Sequence, residues 1–281
     1  MFGKTVKKVV SGILAVSATL ACVGTMSACE TSHPKVELTL EFQNKEYVLK
    51  YQLYRNIAGA TVKHFLALVD ADYYDGVCIH DYDSDDAMYT GGYTYTANAD
   101  NGGLVEKNYY EIAPTMETFS HSVWQDEGQT KPTYTLYGEF SDNDYKVTNG
   151  AVKESFGALT MYYTQKDCEE TVWVKRGDGN GVSEKKYGYN SATSMFSISL
   201  SSTSTTNTNY CTFATLDEDS VDVLKSLQAA IDAYAGEDDF TTAYTLRVDE
   251  DDLYIGDHNE TATYDVPDAP IIIKEVKIKK I

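Results

Sequence analysis

Residues 71–93 read ADYYDGVCIHDYDSDDAMYTGGY, and no other part of the chain holds so many structural signals close together. A turn signal, Tyr-Tyr-Asp-Gly at 73–76, precedes the strand-like run VCIHDY, and an acidic turn then leads to Gly91-Gly92. The residues suggest three interpretations: a calcium loop, a catalytic pair of His80 and Asp81, or a strand–turn–strand unit of a larger sheet.

The acidic turn lacks two residues that a calcium loop requires. Counted from Asp81, the sixth and twelfth positions should be glycine and glutamate, but they are Asp86 and Gly92. Adjacent strand residues point to opposite faces, so His80 and Asp81 are not expected to form one catalytic pair. The sequence therefore favours the strand–turn–strand unit, with His80 as a structural or groove-lining residue and no metal site.

The flanking sequence predicts further strands by its alternation of apolar and polar residues. VELTLEF and EYVLKYQLY, at 36–42 and 46–54, predict a hairpin. Other strand-like runs follow, namely VCIHDY (77–82), YTLYGEF (134–140), FGALTMYYT (156–164), MFSISLS (195–201), YCTFATL (210–216) and PIIIKEVKI (270–278).

Two helices are predicted among these strands. Apolar residues at helical spacing make one stripe after residue 60 and another within 219–234. The first stripe consists of Val62, Phe65, Leu66 and Val69. Two helices among many strands predict a mostly β fold, a closed barrel capped by helices, rather than a doubly wound sheet.

Three polar segments interrupt the predicted barrel. They lie near 96–133, 165–190 and 236–265, and we expect them to be surface insertions, the last one acidic and irregular. The globular domain is predicted to span 36–281.

Composition limits the function. A net charge of −20 excludes the basic surface on which nucleic-acid binding depends, so no nucleic-acid partner is expected. The 23 tyrosines suit either a β-rich fold with a decorated surface or an aromatic face for peptide or glycan. Three scattered cysteines, Cys78, Cys168 and Cys211, predict neither a disulfide framework nor a metal site, and Cys78 and Cys211 lie in apolar runs that predict burial.

The N-terminus has the pattern of an export signal. Lys4, Lys7 and Lys8 precede an apolar run with small residues, and no acidic residue occurs before Glu30. Residues 26–29, Met-Ser-Ala-Cys, resemble a bacterial lipobox, which predicts cleavage after residue 28, lipid attachment at Cys29 and a lipidated tether over 29–35. The alternative is an uncleaved membrane anchor. Either way the chain is expected at the extracytoplasmic face of a bacterial membrane.

The order of the motifs resembles the cyclophilin family. That family's signature runs G-Y-Y-D-G, F-H-R-V-I and F-M-I-Q-G-G-D, and eight residues fall in register with it: Tyr73, Tyr74, Asp75, Gly76, His80, Met88, Gly91 and Gly92. Later segments match in the same order, namely LYGEFSDN (136–143), FGALTM (156–161), SATSMFSISL (191–200), YCTFATL (210–216), DSVDVLKSL (219–227) and PIIIKEVKI (270–278). The resemblance covers about residues 36–278.

The resemblance implies an eight-stranded antiparallel barrel with a helix at each end. It also implies peptidyl-prolyl cis–trans isomerisation without a metal or cofactor. Such an enzyme lowers a rotation barrier of ~18–20 kcal/mol about the partly double peptide bond. An apolar pocket holds the proline ring, and a cation donates a hydrogen bond that favours the twisted state.

Several groove positions depart from the family pattern. The catalytic arginine is Asp81, the glutamine is Thr90, and the second phenylalanine of Q-F-F-I is Ser197. The tryptophan position falls near Thr205. By resemblance the peptide groove comprises His80, Met88, Thr90, Met161, Phe196, Ser197, Thr205 and Tyr210.

Two functions follow from this pattern. The first is a cyclophilin-type lipoprotein that acts on exported, proline-containing polypeptides with little or no isomerase activity, because no catalytic residue is intact. The second is a binding module that keeps the barrel as a scaffold for an extracellular peptide, protein or glycan.

Overall fold

The structure, a computed structural model, describes residues 33–116, 119, 121–145, 150–162, 171–176, 180–186, 192–247 and 261–279. The predicted signal peptide, the predicted lipidation site Cys29 and Cys168 lie outside these residues. The strands are β1 (Lys35–Phe42), β2 (Lys45–Leu53), β3 (Val77–Tyr82), β4 (Ala87–Tyr95), β5 (Leu104–Glu106), β6 (Val123–Trp124), β7 (Leu159–Met161), β8 (Thr171–Lys175), β9 (Val182–Lys186), β10 (Phe196–Ser199), β11 (Cys211–Leu216), β12 (Thr241–Arg247), β13 (Thr261–Pro267) and β14 (Ile272–Lys279). The helices are α1 (Gly59–Asp70), the single turn α2 (Tyr109–Ile112) and α3 (Glu218–Ala235).

Eight strands close into an antiparallel barrel, as predicted. Their order is β10-β7-β11-β2-β1-β14-β3-β4, and a further pairing of β10 with β4 joins the two ends. β5 extends β4 outside the closed ring. Closure leaves no free edge along the ring, which protects a β-rich chain from edge-to-edge association.

The predicted hairpin forms one wall of the barrel. Leu38 of β1 lies opposite Leu49 of β2, and both are fully buried. Gln43 and Asn44 form the two-residue turn, and both have positive φ, at 51° and 60°. Two such residues in succession match the right-handed twist of the strands they connect.

The two longer helices bury the apolar stripes that the sequence predicts. Val62, Phe65, Leu66 and Val69 of α1 are all buried against the barrel core. In α3 the buried apolar residues are Leu224, Leu227 and Ile231. The N-terminus of α1 is capped from a distant segment, because the Glu139 carboxylate accepts hydrogen bonds from the N–H groups of Ala60 (3.0 Å) and Thr61 (2.8 Å).

Two predictions about local structure were wrong. The run 134–140 is not a strand, and its ladder contact is a single bridge between Leu136 and Ala192. Its Glu139 caps α1 instead, which requires an irregular backbone. The segment 236–265 was expected to be irregular, but it contains the hairpin of β12 and β13, with Tyr244 paired to Tyr264.

The other two insertions pair with each other. β6 belongs to the segment 96–133 and β8 to the segment 165–190, and Val123 and Trp124 lie opposite Val174 and Trp173. β9 completes this small sheet. Separate polar stretches of the sequence therefore build one three-stranded unit outside the barrel.

Candidate functional site

Several signature residues meet at one point, where the segment just before β10 approaches the middle of β4. The Tyr73 and Ser194 hydroxyls share a hydrogen bond of 3.0 Å, and the Tyr74 hydroxyl donates to the Ser194 carbonyl at 3.1 Å. The Ser194 hydroxyl also donates to the Gly91 carbonyl at 2.7 Å. Gly91 has φ +103°, and a Cβ there would lie 2.2 Å from the Ser194 carbonyl oxygen. Glycine is therefore required for the close approach of the two segments.

Beyond these residues, one row of side chains crosses five strands on the outside of the barrel. Cross-strand partners share a face, and Tyr89 of β4 is paired with both Asp81 of β3 and Ser197 of β10. Ser197 is in turn paired with Thr160 of β7, and Thr160 with Thr212 of β11. We call Asp81, Tyr89, Ser197, Thr160 and Thr212 the outer row.

The outer row is polar at its β7–β11 end. The hydroxyls of Thr160 and Thr212 lie 3.0 Å apart, and Thr160 donates to a Glu154 carboxylate oxygen at 3.2 Å. The Asn207 amide donates to the other Glu154 oxygen at 2.6 Å. These groups satisfy one another, and Thr160 and Thr212 are 4% and 5% exposed, so this end is a closed polar network and not a free surface.

A cavity of about 280 Å³ opens beside the Asp81 end of the outer row. It is lined by four carboxylates, five rings and a thioether: Asp81, Asp83, Asp86, Asp265, His80, Tyr89, Tyr162, Phe196, Tyr264 and Met195. Of the described residues that line it, none is a lysine or an arginine. The cavity is therefore strongly acidic and rich in aromatic surface.

His80 and Asp81 both line this cavity, although adjacent strand residues ordinarily face opposite ways. The pairing of β3 with β4 shifts register between Val77 and Ile79 and again between Ile79 and Asp81. Such irregularities re-aim side chains locally. The expectation that these two residues would be separated by the sheet was wrong for that reason.

The His80 ring is 2% exposed and lies between two tyrosines. Its centroid is 5.0 Å from that of Tyr93 and 4.9 Å from that of Tyr264, and its Nδ1 has no hydrogen-bond partner. Burial lowers the pKa of His80 to about 3. The ring is therefore neutral at physiological pH, and it keeps a polar atom unsatisfied beside the cavity.

Asp81 is held by β13, the second strand of the β12–β13 pair. The Asp265 N–H donates to its Oδ1 at 2.9 Å, which ties β13 to β3. Burial raises the pKa of Asp81, and the nearby carboxylates of Asp265 and Asp83 act in the same direction. The insertion near 236–265 thus forms one wall of the cavity through Tyr264 and Asp265.

Comparison with known families identifies the barrel. The family model described as cyclophilin type peptidyl-prolyl cis-trans isomerase/CLD matches residues 38–245, which is more than half of the chain. The chain belongs to the cyclophilin family. No curated protein matches it.

Solved structures similar to this cyclophilin domain come from distant sources. A cyclophilin type peptidyl-prolyl cis-trans isomerase of Cryptosporidium parvum is 17% identical, with a TM-score of 0.45 over 89% of this chain and 99% of that one. The Mimivirus cyclophilin is 13% identical, with a TM-score of 0.47 over 89% of this chain and 90% of that one.

The structure divides the predicted groove residues of this cyclophilin domain between two faces. Met88, Thr90 and Met161 are fully buried in the barrel interior rather than at the surface. The Thr90 hydroxyl donates to the Cys78 carbonyl at 2.8 Å. The register of β3, β4 and β10 turns Tyr89 outward, and a strand that exposes one residue buries its neighbours.

The remaining predicted residues lie closer to the outer surface. Ser197 belongs to the outer row, and Phe196 is buried against Phe65 and Tyr74 but also lines the cavity. Thr205 is exposed and bridges to Glu154 through the backbone. Burial raises the pKa of Tyr89 and of Tyr162, and the nearby phenol of Tyr210 adds a smaller contribution in the same direction.

Sequence reasoning missed several residues of the site, among them Tyr89, Tyr162, Tyr264 and Asp265 at the cavity and Thr160 and Thr212 in the outer row. For Tyr89 a signal existed, since it alternates with two residues that face the core. Tyr264 and Asp265 carry no such signal, because tertiary packing alone brings them to β3.

The described part of the chain lacks two further features. It has no group of three or more His, Cys, Asp or Glu residues arranged to hold a metal ion. It also has no helix with the length and apolar character needed to cross a bilayer.

Proposed function

We propose that this cyclophilin domain binds exported polypeptides at the Asp81–Tyr89 end of its outer row, where the side chains are only partly buried, and catalyses proline isomerisation weakly or not at all. The outer row supports the proposal, because Asp81 and Ser197 flank Tyr89 where the family resemblance leads us to expect an arginine and a pocket-lining phenylalanine.

The chemistry at Asp81 opposes catalysis. Isomerisation is accelerated by a donor that hydrogen-bonds to the twisted peptide bond, and a preorganised donor contributes a rate factor of about 10²–10³. A carboxylate cannot donate such a bond, and Asp83, Asp86 and Asp265 add negative charge at the same cavity. The nearest groups thus favour binding a cation over polarising an amide.

The position of Ser197 removes apolar surface from the row. A proline ring is held by apolar contact, whereas Ser197 is bonded to the Thr160 carbonyl at 3.4 Å and lies next to the Thr160–Thr212 hydroxyl pair. The tyrosines around it, Tyr89, Tyr162 and Tyr210, keep enough aromatic surface to bind an extended peptide.

The test is a chymotrypsin-coupled isomerisation assay on an Ala-Ala-Pro-Phe peptide, with an active cyclophilin as the reference. We expect the native chain to match the uncatalysed rate while still binding a fluorescent version of the peptide. The double variant Asp81→Arg with Ser197→Phe supplies donor and ring, and should raise the rate by about tenfold or more.

The matched control is Ser197→Phe alone, which adds the ring but keeps a carboxylate that cannot donate, and it should stay at background. A native rate equal to that of the active cyclophilin would contradict the proposed loss of activity. Failure of the native chain to bind the peptide at millimolar concentration would contradict polypeptide binding.

A further inference from the structure

The cavity beside Asp81 has a chemistry that the proposed function leaves unexplained. Its carboxylates come from separate parts of the chain, Asp81 from β3, Asp83 and Asp86 from the following turn, and Asp265 from β13. Within the described residues no lysine or arginine forms an ion pair with any of them. Like charges at one cavity repel each other, so a cationic ligand would reduce the electrostatic repulsion among the carboxylates.

The hydrogen bonds of these carboxylates leave acceptor capacity unused. Asp83 accepts from the Asp85 N–H at 2.9 Å, and Asp86 accepts from the Tyr89 hydroxyl at 2.9 Å. An ionised carboxylate offers about four acceptor sites. Each can therefore still receive a hydrogen bond from a ligand.

His80 lines the cavity without adding positive charge to it. Its side chain is almost completely buried, and its Nδ1 has neither a hydrogen-bond partner nor appreciable solvent-accessible surface. Burial lowers the pKa of His80 to about 3, so the ring is neutral and would not repel a cation bound beside it.

Aromatic rings complete the cavity wall. Tyr264 packs edge-on against His80, and Tyr89 packs edge-on against Tyr162 with centroids 6.0 Å apart. The faces of such rings attract guanidinium and ammonium groups. The carboxylates are too dispersed to form a cluster that could enclose a metal ion, whereas a long cationic side chain spreads its contacts.

We infer that the cavity binds the cationic side chain, arginine or lysine, of a polypeptide held at the Asp81–Tyr89 end of the outer row. The inference rests on the proposed function and names the class of polypeptide, namely basic ones. The outer row and the cavity share Asp81 and Tyr89, so one extended peptide reaches both.

The experiment titrates the full chain with two probes, Ala-Arg-Pro-Phe and the same peptide with citrulline for arginine. Citrulline has the shape of arginine without its charge. We expect the arginine peptide to bind about tenfold tighter, a difference typical of a partly desolvated charge contact. The aromatic NMR signals of His80 and Tyr264 should shift with the arginine peptide and place it in the cavity.

Variants separate the cavity from the overall charge. Asp83→Asn keeps the acceptor for the Asp85 N–H and should reduce the preference for arginine several-fold, as should Asp81→Asn. Asp222→Asn, an exposed change on α3, removes the same charge elsewhere and should leave the preference intact. An unchanged preference in both cavity variants would overturn the inference.

Different results would contradict the cationic site and the proposed polypeptide binding. Equal affinity for the two peptides would overturn the cationic site while leaving polypeptide binding in place. Binding of N-acetyl-arginine amide at the cavity, with no binding of either peptide, would overturn polypeptide binding and support the site.

Discussion

Both oxygen atoms of Ser194 are used by the segment 71–93, its hydroxyl by Tyr73 and Gly91 and its carbonyl by Tyr74. These contacts lie in the protein interior and hold the segment before β10 to the middle of β4. Tyr73, Tyr74 and Gly91, which carry part of the family resemblance, therefore maintain the barrel. Asp81 and Tyr89 of the same segment instead line the cavity.

Buried histidines make the stability of this cyclophilin domain sensitive to mild acid. Burial lowers the pKa of His64 to about 4 and that of His80 to about 3. Below the ordinary histidine pKa, the unfolded chain binds a proton that the folded chain does not. Each histidine therefore contributes stability that is fully present above that pKa and is lost as the pH falls toward its folded value.

We predict a fall in the free energy of unfolding between about pH 6 and pH 5, at about 1.4 kcal/mol per pH unit for each histidine. His80→Phe keeps a ring against Tyr93 and Tyr264 but cannot titrate, so it should reduce the slope by one such increment. Denaturant unfolding at several pH values measures it.

Three aspartates limit, on the acidic side, the pH range over which the free energy of unfolding falls. Burial raises the pKa of Asp70, Asp75 and Asp81, which favours proton binding by the folded chain and opposes the histidine effect. His64→Gln should give the same reduction as His80→Phe. Identical slopes for the native chain and both variants would show that neither histidine is held neutral.

At the scale of elements, α1 depends on a residue that lies far away in sequence. Its N-cap is Ala58, whose side chain cannot accept a hydrogen bond, and Glu139 supplies the missing acceptors to Ala60 and Thr61. This explains why the run 134–140 resembles a strand by its pattern but is not one: the backbone must turn Glu139 toward the helix.

We predict that Glu139→Ala lowers the free energy of unfolding by about 1–2 kcal/mol, the usual cost of losing an N-terminal cap. Glu139→Gln keeps one acceptor oxygen and should cost less. Urea unfolding at constant pH gives the comparison. Glu237→Ala removes an exposed glutamate and serves as the control; equal losses in the two alanine variants would remove the capping role.

For the whole molecule, local periodicity was sufficient to predict most of the barrel. The alternation of 36–54 and the stripe of α1 gave the hairpin and the first helix, because each pattern matches one buried face. The order of the later motifs then gave the closed ring. Register could not be predicted, since the shifts around Ile79 follow from packing and determine whether Met88 or Tyr89 faces outward.

The cavity was also beyond the reach of sequence reasoning. Asp81 and Asp265 are 184 residues apart, and their contact depends on how the hairpin of β12 and β13 docks on the barrel. The acidic segment near 236–265 showed a charge pattern but no partner. The resemblance does predict that Asp81 stands at the arginine position, because that prediction depends on residue identity and order alone.

The predicted lipid anchor leads to a further prediction about the whole molecule. Cys29→Ser should abolish incorporation of a labelled fatty acid in a bacterial host, because the lipobox pattern assigns the lipid to that thiol. Labelling with an alkyne fatty acid followed by membrane fractionation measures it. Cys22 is a weaker candidate for lipid attachment, because Thr19 stands where a lipobox prefers a large apolar residue. Cys22→Ser is therefore the matched control and should keep the label; the opposite result would move the processing site to Cys22.

The single hydrogen bond from the Asp265 N–H to Asp81 has a consequence for dynamics. That amide exchanges its hydrogen with solvent when the bond to Asp81 opens, so its exchange rate reports how often this contact between β13 and β3 breaks. A ligand that contacts both β3 and β13 stabilises the closed contact, so the amide exchange slows as the ligand occupies the cavity. The exchange rate at one backbone position can thus report whether β13 stays docked on β3 or detaches from it.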